Sequence, residues 1–501
     1  MKKQLLLLFG AMAFGSVQAQ DVADALRYAQ DNINGTARFR AMSGAFGAIG
    51  GDLSAINVNP AGSAVFANSQ VGASLSSYNT KNKSSYFGTK TSDSDNAFDL
   101  NQAGVVFVLN NPMQNTGWKK LALSVNYDSA NRFDNAFFTA GVNTNHSVAD
   151  YFVHHANQLG LPANFYGNAY FDQLSLRERQ AFMGYNAYII DPLGGDPNSN
   201  QFISNVPNGS YAQDNFTETT GYNGKVTLNA SSSYNDRFYF GINLNAYFSE
   251  YTKYSSFYEQ NDNDPLMGRP SVNSISFDQQ TYTYGNGFSF QLGAIAKITQ
   301  AFRAGLSYES PTWYEFSDEV WQIVYSTGQN YGNGSNSAQT DSNMLILYEP
   351  YNLRTPGKFT GSLGYVFGKT AILSADYSVK DYSNTRFRSG GDYFRPVNAA
   401  MSNQLGMAGE LRIGAEVRAK AWSFRGGFRY EESPYENVDT IGDLTSFSAG
   451  FGYQFPRTRL DLSYTFIQRE TQQGLFAQGL TDPVINDATN NNVTLSLIFE
   501  L

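Results

Sequence analysis

Stretch after stretch of this chain alternates apolar with small or polar residues at period two. Leu121, Leu123, Val125 and Tyr127 form one such row, and Phe238, Phe240, Ile242 and Leu244 another. Phe288, Phe290, Leu292, Ala294 and Ala296 continue the pattern, as do Leu460, Leu462, Tyr464 and Phe466. The last row is Val493, Leu495, Leu497, Phe499 and Leu501. Period two puts every second side chain on one face of a strand, so these rows predict half-buried strands. The count comes to about fourteen, an even number as a single-chain bacterial membrane barrel requires. Connections alternate in length. Short turns are expected near Asn110–Gly117, Asn235–Asp236, Thr299–Gln300, Gly368–Lys369, Ala419–Ala421 and Pro456–Arg457, with long polar segments in every other gap. A soluble sandwich has no reason to keep that asymmetry, whereas a barrel with turns on one side of a membrane and loops on the other does. The predicted fold class is all-β: an antiparallel transmembrane β-barrel spanning 70–501.

Composition supports this reading. The chain is 42% hydrophobic with a mean hydropathy of −0.37, too polar for a bundle of membrane helices, while its 15% aromatic content suits the interfacial girdles of a barrel. Lys2 and Lys3, the apolar run Leu5–Phe14 and the small-residue site Val17-Gln18-Ala19 predict a secretory signal over 1–19. Removing Lys2 and Lys3 leaves 32 basic against 43 acidic side chains, which argues against a nucleic-acid partner. With no cysteine there is neither a disulfide framework nor a thiolate site.

Between the signal and the first strand lies Gly35–Gly62, GTARFRAMSGAFGAIGGDLSAINVNPAG. It is apolar enough for burial, yet too rich in glycine, and too interrupted at Asn59-Pro60, for a regular element. It reads as an irregular plug inside the barrel. This segment, with its Asn59-Pro60-Ala61 triplet, resembles the N-terminal hatch of the FadL/TodX-type outer-membrane transporters of long-chain fatty acids and other hydrophobic compounds. The resemblance implies a hatch over 20–69, a Gram-negative outer-membrane location, insertion by the barrel-assembly machinery, and surrounding lipid and hydrophobic small molecules as partners. It also implies passive uptake: substrate enters an apolar groove in the external loops, reaches a pocket above the hatch, and leaves through a gap in the wall after the hatch shifts. The third strand, Leu121–Tyr127, has neither Gly nor Pro to mark such a gap.

Asn59, Pro60 and Ala61 are expected to gate the hatch, with proline forcing an extended turn where the hatch meets the first strand and Asn59 latching that turn to wall backbone. Gly44, Gly47, Gly50, Gly51 and Gly62 would let hatch backbone approach the wall or a ligand. Arg38 and Arg40 are candidates for a substrate carboxylate, the alternative being pairing with a lumen acid such as Asp461 or Glu416.

Long segments are expected at Lys81–Ala97, Ala130–Asn215, Tyr258–Gln279, Ser317–Leu353, Phe387–Asn403 and Gly474–Asp487. The second is too long for a bare loop, and helices are predicted within it at Val148–Leu159 and Leu174–Tyr185, the latter opening on a Ser175–Glu178 capping box. Asp21–Asn34 is also helix-compatible. Phe152, Leu159, Phe165 and Phe171 would pack together or line a greasy groove. His146, His154 and His155 all fall in this loop; a haem or metal site there is the alternative to ordinary loop histidines, and no metal or cofactor is expected. No catalytic motif is present, so an enzyme is not expected. A general porin, a haem-binding receptor and a surface adhesin are the rival functions.

Overall fold

In a computed structural model, the structure describes residues 21–110, 117–331, 334–341, 345–389, 393–436 and 440–501. The expected export signal and most of the 110–117 turn lie outside them. Fourteen antiparallel strands close into a barrel. They are β1 (Gln70–Tyr86), β2 (Thr89–Asn110), β3 (Trp118–Arg132), β4 (Tyr211–Tyr234), β5 (Phe238–Gln260) and β6 (Ser271–Lys297). β7 is split into Phe302–Glu309 and Trp313–Gln329, and β8 into Tyr351–Arg354 and Lys358–Phe367. The circuit continues through β9 (Ala371–Asp381), β10 (Met407–Ala419), β11 (Trp422–Glu431), β12 (Ile441–Gln454), β13 (Thr458–Gly474) and β14 (Pro483–Glu500). Closure is a ladder from Gln70↔Glu500 to Ser85↔Ile485, so no edge is left exposed between the first and last strands.

The period-two rows take the sides the pattern predicts. On β3, Leu121, Leu123 and Val125 face outward while Ala122, Ser124, Asn126 and Asp128 are buried. β14 repeats this, with Val493, Leu495, Leu497 and Phe499 outside and Thr494 and Ser496 inside. Outward aromatics gather at the turn end, where Trp118 meets Tyr234 and Trp422 meets Tyr453 at ring distances of 5.3 and 4.8 Å. An apolar outer belt around a polar interior is the arrangement of a transmembrane barrel.

Several expected loops are strand instead. Lys81–Ala97 forms the top of a β1–β2 hairpin that turns at Phe87–Gly88, both at positive φ as a tight two-residue turn requires. β5 and β6 likewise run on to Gln260 and back from Ser271, and β7 to Gln329. Above the lipid belt a strand needs no apolar face, so the alternation stops before the strand does. The expected helices form as α1 (Val22–Ala29), α3 (Ala149–Leu159) and α5 (Leu176–Asn186), and three that were not expected join them: α2 (Ala37–Ala41) in the hatch, α4 (Ala163–Asn168) and α6 (Arg395–Gln404). α5 carries the Ser175–Glu178 capping box.

Two irregularities break the wall. Pro311 and Pro356 interrupt β7 and β8 at the same level, because neither can donate to a ladder, and Thr355 N–H donates to Thr312 O across the break (3.0 Å). The other is in β3. It pairs with β2 only from Asn110↔Lys120 to Gln102↔Asp128, although both strands continue. A bulge at Ala130 follows, after which Asn135–Asn143 lies across the inner face of β1, where Asn82 and Ser84 bond the carbonyls of Ala136 and Phe138 at 2.7 Å each. The wall therefore has a gap in its backbone pairing between β2 and β3, bridged by the Arg132–Asp99 ion pair at 3.5 Å.

Leu123 sits on the outer face about midway between the aromatic levels of Trp118 and Tyr127. Leu123→Arg should lower stability in lipid vesicles by about 2–4 kcal/mol, the cost of a cation near the bilayer midplane. Urea titration in vesicles measures it, and a change under about 0.5 kcal/mol, as for an ordinary surface site, would mean that this face does not meet lipid.

Candidate functional site

Residues 35–66 cross the lumen with only a short helix and single turns, so their backbone polar groups need partners from elsewhere. Inward side chains of the wall supply them. Asn126 donates to Leu53 O, Asn243 to Ile56 O (2.8 Å), Gln291 to Asn57 O (3.1 Å), Ser307 to Val58 O (2.6 Å) and Asn229 to Pro60 O (2.9 Å). Asp376 accepts from the N–H groups of Phe46 and Gly47, both at 3.1 Å.

The hatch also approaches wall backbone so closely that side chains are excluded there. A Cβ on Gly241 would lie 2.4 Å from Pro60 O, and one on Gly293, directly across the ladder, 2.1 Å from Asn59 Oδ1. Facing Gly414 and Gly427 play the same part around Met42. On the hatch side, a Cβ on Gly47 would meet Ser362 Oγ at 2.0 Å and one on Gly50 would meet Gly62 Cα at 2.8 Å. Gly44 and Gly51 occupy turns at φ +71° and +66°.

Asn59 is buried at the crossing point. Its side-chain amide donates to Gly47 O (2.8 Å) within the hatch and to Ala294 O (3.0 Å) on β6, while its carbonyl accepts from Ala61 N–H (3.1 Å). Asn59 itself is extended, as the following proline demands. Pro60 then begins a 3₁₀ helix to Val65, so the triplet starts a helical turn and does not meet the first strand directly, which begins at Gln70.

Arg38 belongs to a closed ring of ion pairs. It binds Glu416 at 2.7 Å; Glu416 binds Arg425, Arg425 binds Asp461, and Asp461 binds Arg459, each at 2.7 Å. Asp52 of the hatch completes the ring, 3.8 Å from both Arg459 and Arg38. Arg40 is held by the hydroxyls of Ser76 (3.3 Å) and Tyr78 (3.4 Å) and by no carboxylate among the described residues. Neither arginine borders the lumen cavity.

That cavity, about 100 Å³, lies beside residues 28–34 of the hatch. One side is formed by Glu309, Lys358 and Lys380 near the β7–β8 breaks, and the other by Asp128–Asn131 at the β3 bulge. Asp31 bridges Lys358 and Lys380 at 2.8 Å to each. Burial alone would raise its carboxyl, and the two ammonium groups overcome this and hold it far below the ordinary carboxylate range. Opposite, Asn34 donates to the carbonyls of Ser129 (2.6 Å) and Ala130 (3.3 Å), and Asn131 donates to Arg27 O (3.2 Å). The strand bends without Gly or Pro because hatch side chains satisfy the carbonyls that the bulge frees. Neither this bend nor the lysine pair has a local signal in the sequence, and the wall glycines at inward strand positions, Gly241, Gly293, Gly414 and Gly427, went unread as marks of close contact with the hatch.

Above the cavity, α1 fills the lumen. Tyr28 packs against Phe133, Tyr314 and Phe316 at ring distances of 5.7, 5.6 and 4.4 Å, and Arg27 lies 3.7 Å above the Tyr251 ring. Residues 144–210 form a separate apolar cap over the mouth, joined by Phe257, Phe277 and Val324 from the wall. Phe152 is fully enclosed in this cap core, with Leu159, Phe165 and Phe171 packed partly buried against it. His155 is also enclosed, and neither ring nitrogen has a partner among the described residues; burial, then His154 and Arg177, push its imidazole down to about 3. His146 instead bonds Asp482 at 2.8 Å. Among the described residues no three His, Cys, Asp or Glu side chains gather as a metal site would need.

A closed fourteen-stranded membrane barrel with its N-terminal segment packed into the lumen as a hatch defines the class of this protein. Its fold is that of the FadL/TodX-type barrels. A FadL homologue of Pseudomonas aeruginosa superposes with a TM-score of 0.58 at 12% identity, over 94% of this chain and 99% of that one. The Pseudomonas putida toluene transporter TodX gives 0.50 at 11% identity, over 94% and 100%. No protein-family model and no curated protein matches the sequence.

Gly293→Val and Gly414→Val should leave barrel closure intact, shown by a band that shifts only on boiling, but expel the hatch and expose Arg38 and Arg40 to trypsin. Undiminished trypsin resistance would show that the wall yields instead. For His155 the unfolded cap gains a proton below pH about 6.5 while the folded cap does not until about 3, so cap stability falls with pH across that window and is flat above it. Hydrogen exchange of α3 follows this. His155→Phe should remove that part of the pH dependence, and an unchanged profile would assign it to other groups.

Proposed function

We propose that this chain is a FadL/TodX-type outer-membrane transporter that lets hydrophobic compounds, long-chain fatty acids among them, diffuse across the outer membrane without energy coupling. The observation that carries the reading is the parting of β3 from β2 beside a lumen that the hatch closes. A water-filled pore is what a polar solute needs. Here the cavity beside the hatch is about 100 Å³, well below the roughly 300–1,000 Å³ of a pocket that holds a small organic ligand. Passage therefore depends on hatch movement, and the unpaired stretch between β2 and β3 offers an apolar molecule a sideways exit into lipid. The apolar cap supplies a surface on which such a molecule first settles, with Phe165 and Phe171 at its rim and Phe152 in its core.

Asn59 and Pro60 act in this scheme as the latch that ties the hatch to the wall. Asn59→Ala frees the carbonyls of Gly47 and Ala294, and Pro60→Ala releases the fixed entry into the 3₁₀ turn. Both variants should insert normally yet change uptake of a labelled long-chain fatty acid and of toluene several-fold per inserted molecule. Uptake unchanged for both compounds would confine the triplet to a structural role. Uptake equal to that of cells lacking the protein, already in the natural chain, would refute transport.

A further inference from the structure

The six short turns at one end of the barrel each carry a basic residue within two positions: Lys119, Arg237, Lys297, Lys369, Lys420 and Arg457 in chain order. Over the same positions the one acidic residue is Asp236, although the chain as a whole has 43 acidic against 34 basic side chains. Neighbouring turns are joined: Arg418 N–H donates to Thr370 O (2.7 Å) and Gln454 N–H to Ala421 O (2.9 Å). Lys369, Lys420 and Arg457 therefore lie on consecutive turns of one rim. Arg418 and Arg459 beside them are taken up by Glu416 and Asp461. Arg237, Lys369, Lys420 and Arg457 are exposed and form no ion pair among the described residues. The loop end of the wall has the opposite character, with Glu218, Glu250 and Glu315 at exposed outward positions.

These cations sit just beyond the outward aromatics of the same end. The Arg237 guanidinium is 5.6 Å from the Phe238 ring, while Lys369, Lys420 and Arg457 each lie two residues from an outward ring, Phe367, Trp422 and Phe455. Such a girdle marks the level where acyl chains give way to headgroups, so a long basic side chain just past it reaches the phosphates of the adjoining leaflet. We propose that the turn end of the barrel binds anionic phospholipid headgroups, of the phosphatidylglycerol class, in preference to zwitterionic ones. The distribution favours lipid over an acidic protein. A cation on every turn, at the height of the girdle, matches a leaflet that surrounds the barrel, whereas a globular partner would engage one sector. Carboxylates at the loop end repel the same headgroups, so the two ends are not equivalent to an anionic leaflet and the charge pattern helps to set how the barrel sits in the membrane. This goes beyond the transport reading and stands without it.

Quenching of tryptophan fluorescence by brominated lipids, in the full chain reconstituted in bilayers, tests this. Trp118→Phe, Trp313→Phe and Trp321→Phe leave Trp422, at the rim beside Lys420, as the reporter. At low salt, brominated phosphatidylglycerol should quench it as if bound about fivefold more tightly than brominated phosphatidylcholine, the effect of one engaged cation. Salt at about 0.5 M should bring the ratio close to one by screening. Adding Lys369→Gln, Lys420→Gln and Arg457→Gln should do the same at low salt, in protein whose barrel is checked by its boiling-dependent gel shift. Should that variant fail to close, the salt dependence alone decides. A preference that the closed variant retains, or that salt leaves unchanged, overturns the assignment. Equal quenching by both lipids at low salt also overturns it, and leaves the basic rim to an acidic protein.

Discussion

An irregular chain sealed inside a barrel has peptide groups that its own turns cannot all satisfy, and much of the rest of this structure follows from that demand. Turn bonds within residues 35–66 pair only part of their peptide groups, so the lumen face of strand after strand carries an amide, hydroxyl or carboxylate aimed at a particular hatch atom: Asn126, Asn229, Asn243, Gln291, Ser307 and Asp376. Each unmade bond of this kind costs about 1–3 kcal/mol, so the wall and hatch specify one another. The wall glycines are the complement of this polar lining. Where hatch backbone touches wall backbone directly, as at Gly241 and Gly293, there is room for neither a side chain nor water.

The barrel was legible because lipid imposes a period on sequence. Leu121, Leu123 and Val125 had to be apolar whatever they contact inside, and every strand that crosses the belt repeats the signal. Legibility ended at the membrane surface. Lys81–Ala97 is polar on both faces and reads as loop, yet it holds register from Tyr78↔Ala97 to Tyr86↔Thr89 through its backbone ladder. The capping box at Ser175–Glu178 was readable because its reason is local. The bend in β3 was not, since its support is Asn34, some 95 residues away along the chain. Likewise nothing near Lys358 or Lys380 in sequence names Asp31 as their partner, whereas Arg38 with Glu416 was one of the pairings considered because both residue types are expected in a lumen.

The two charge clusters divide the hatch into parts with different tasks. Removing one partner from a buried ion pair costs about 3–5 kcal/mol, mostly from the charge left behind. In the Arg38 ring every member has two partners, so the penalty applies at each of several points at once and the lower hatch is held as a unit. The Asp31 cluster concentrates the dependence on a single hatch carboxylate beside open space. Its partners are ammonium groups, compact point charges without the fixed fork of a guanidinium.

That division limits how much of the hatch has to move. Residues 22–34 hold α1, Asp31 and Asn34, and these three contacts respectively fill the upper lumen, neutralise the lysine pair and support the β3 bend. They lie on one short run of chain, so loosening any one weakens the others through backbone continuity. Residues 36–66 keep their own bonds to the wall, with Asn59 tying the hatch to β6 near its centre. A shift confined to the first segment is enough, on the transport reading, to join the cavity to the gap beside β2, with the second segment left in place across the lumen. On the transport reading, hydrophobic traffic leaves sideways through the wall and the barrel never becomes an open pore.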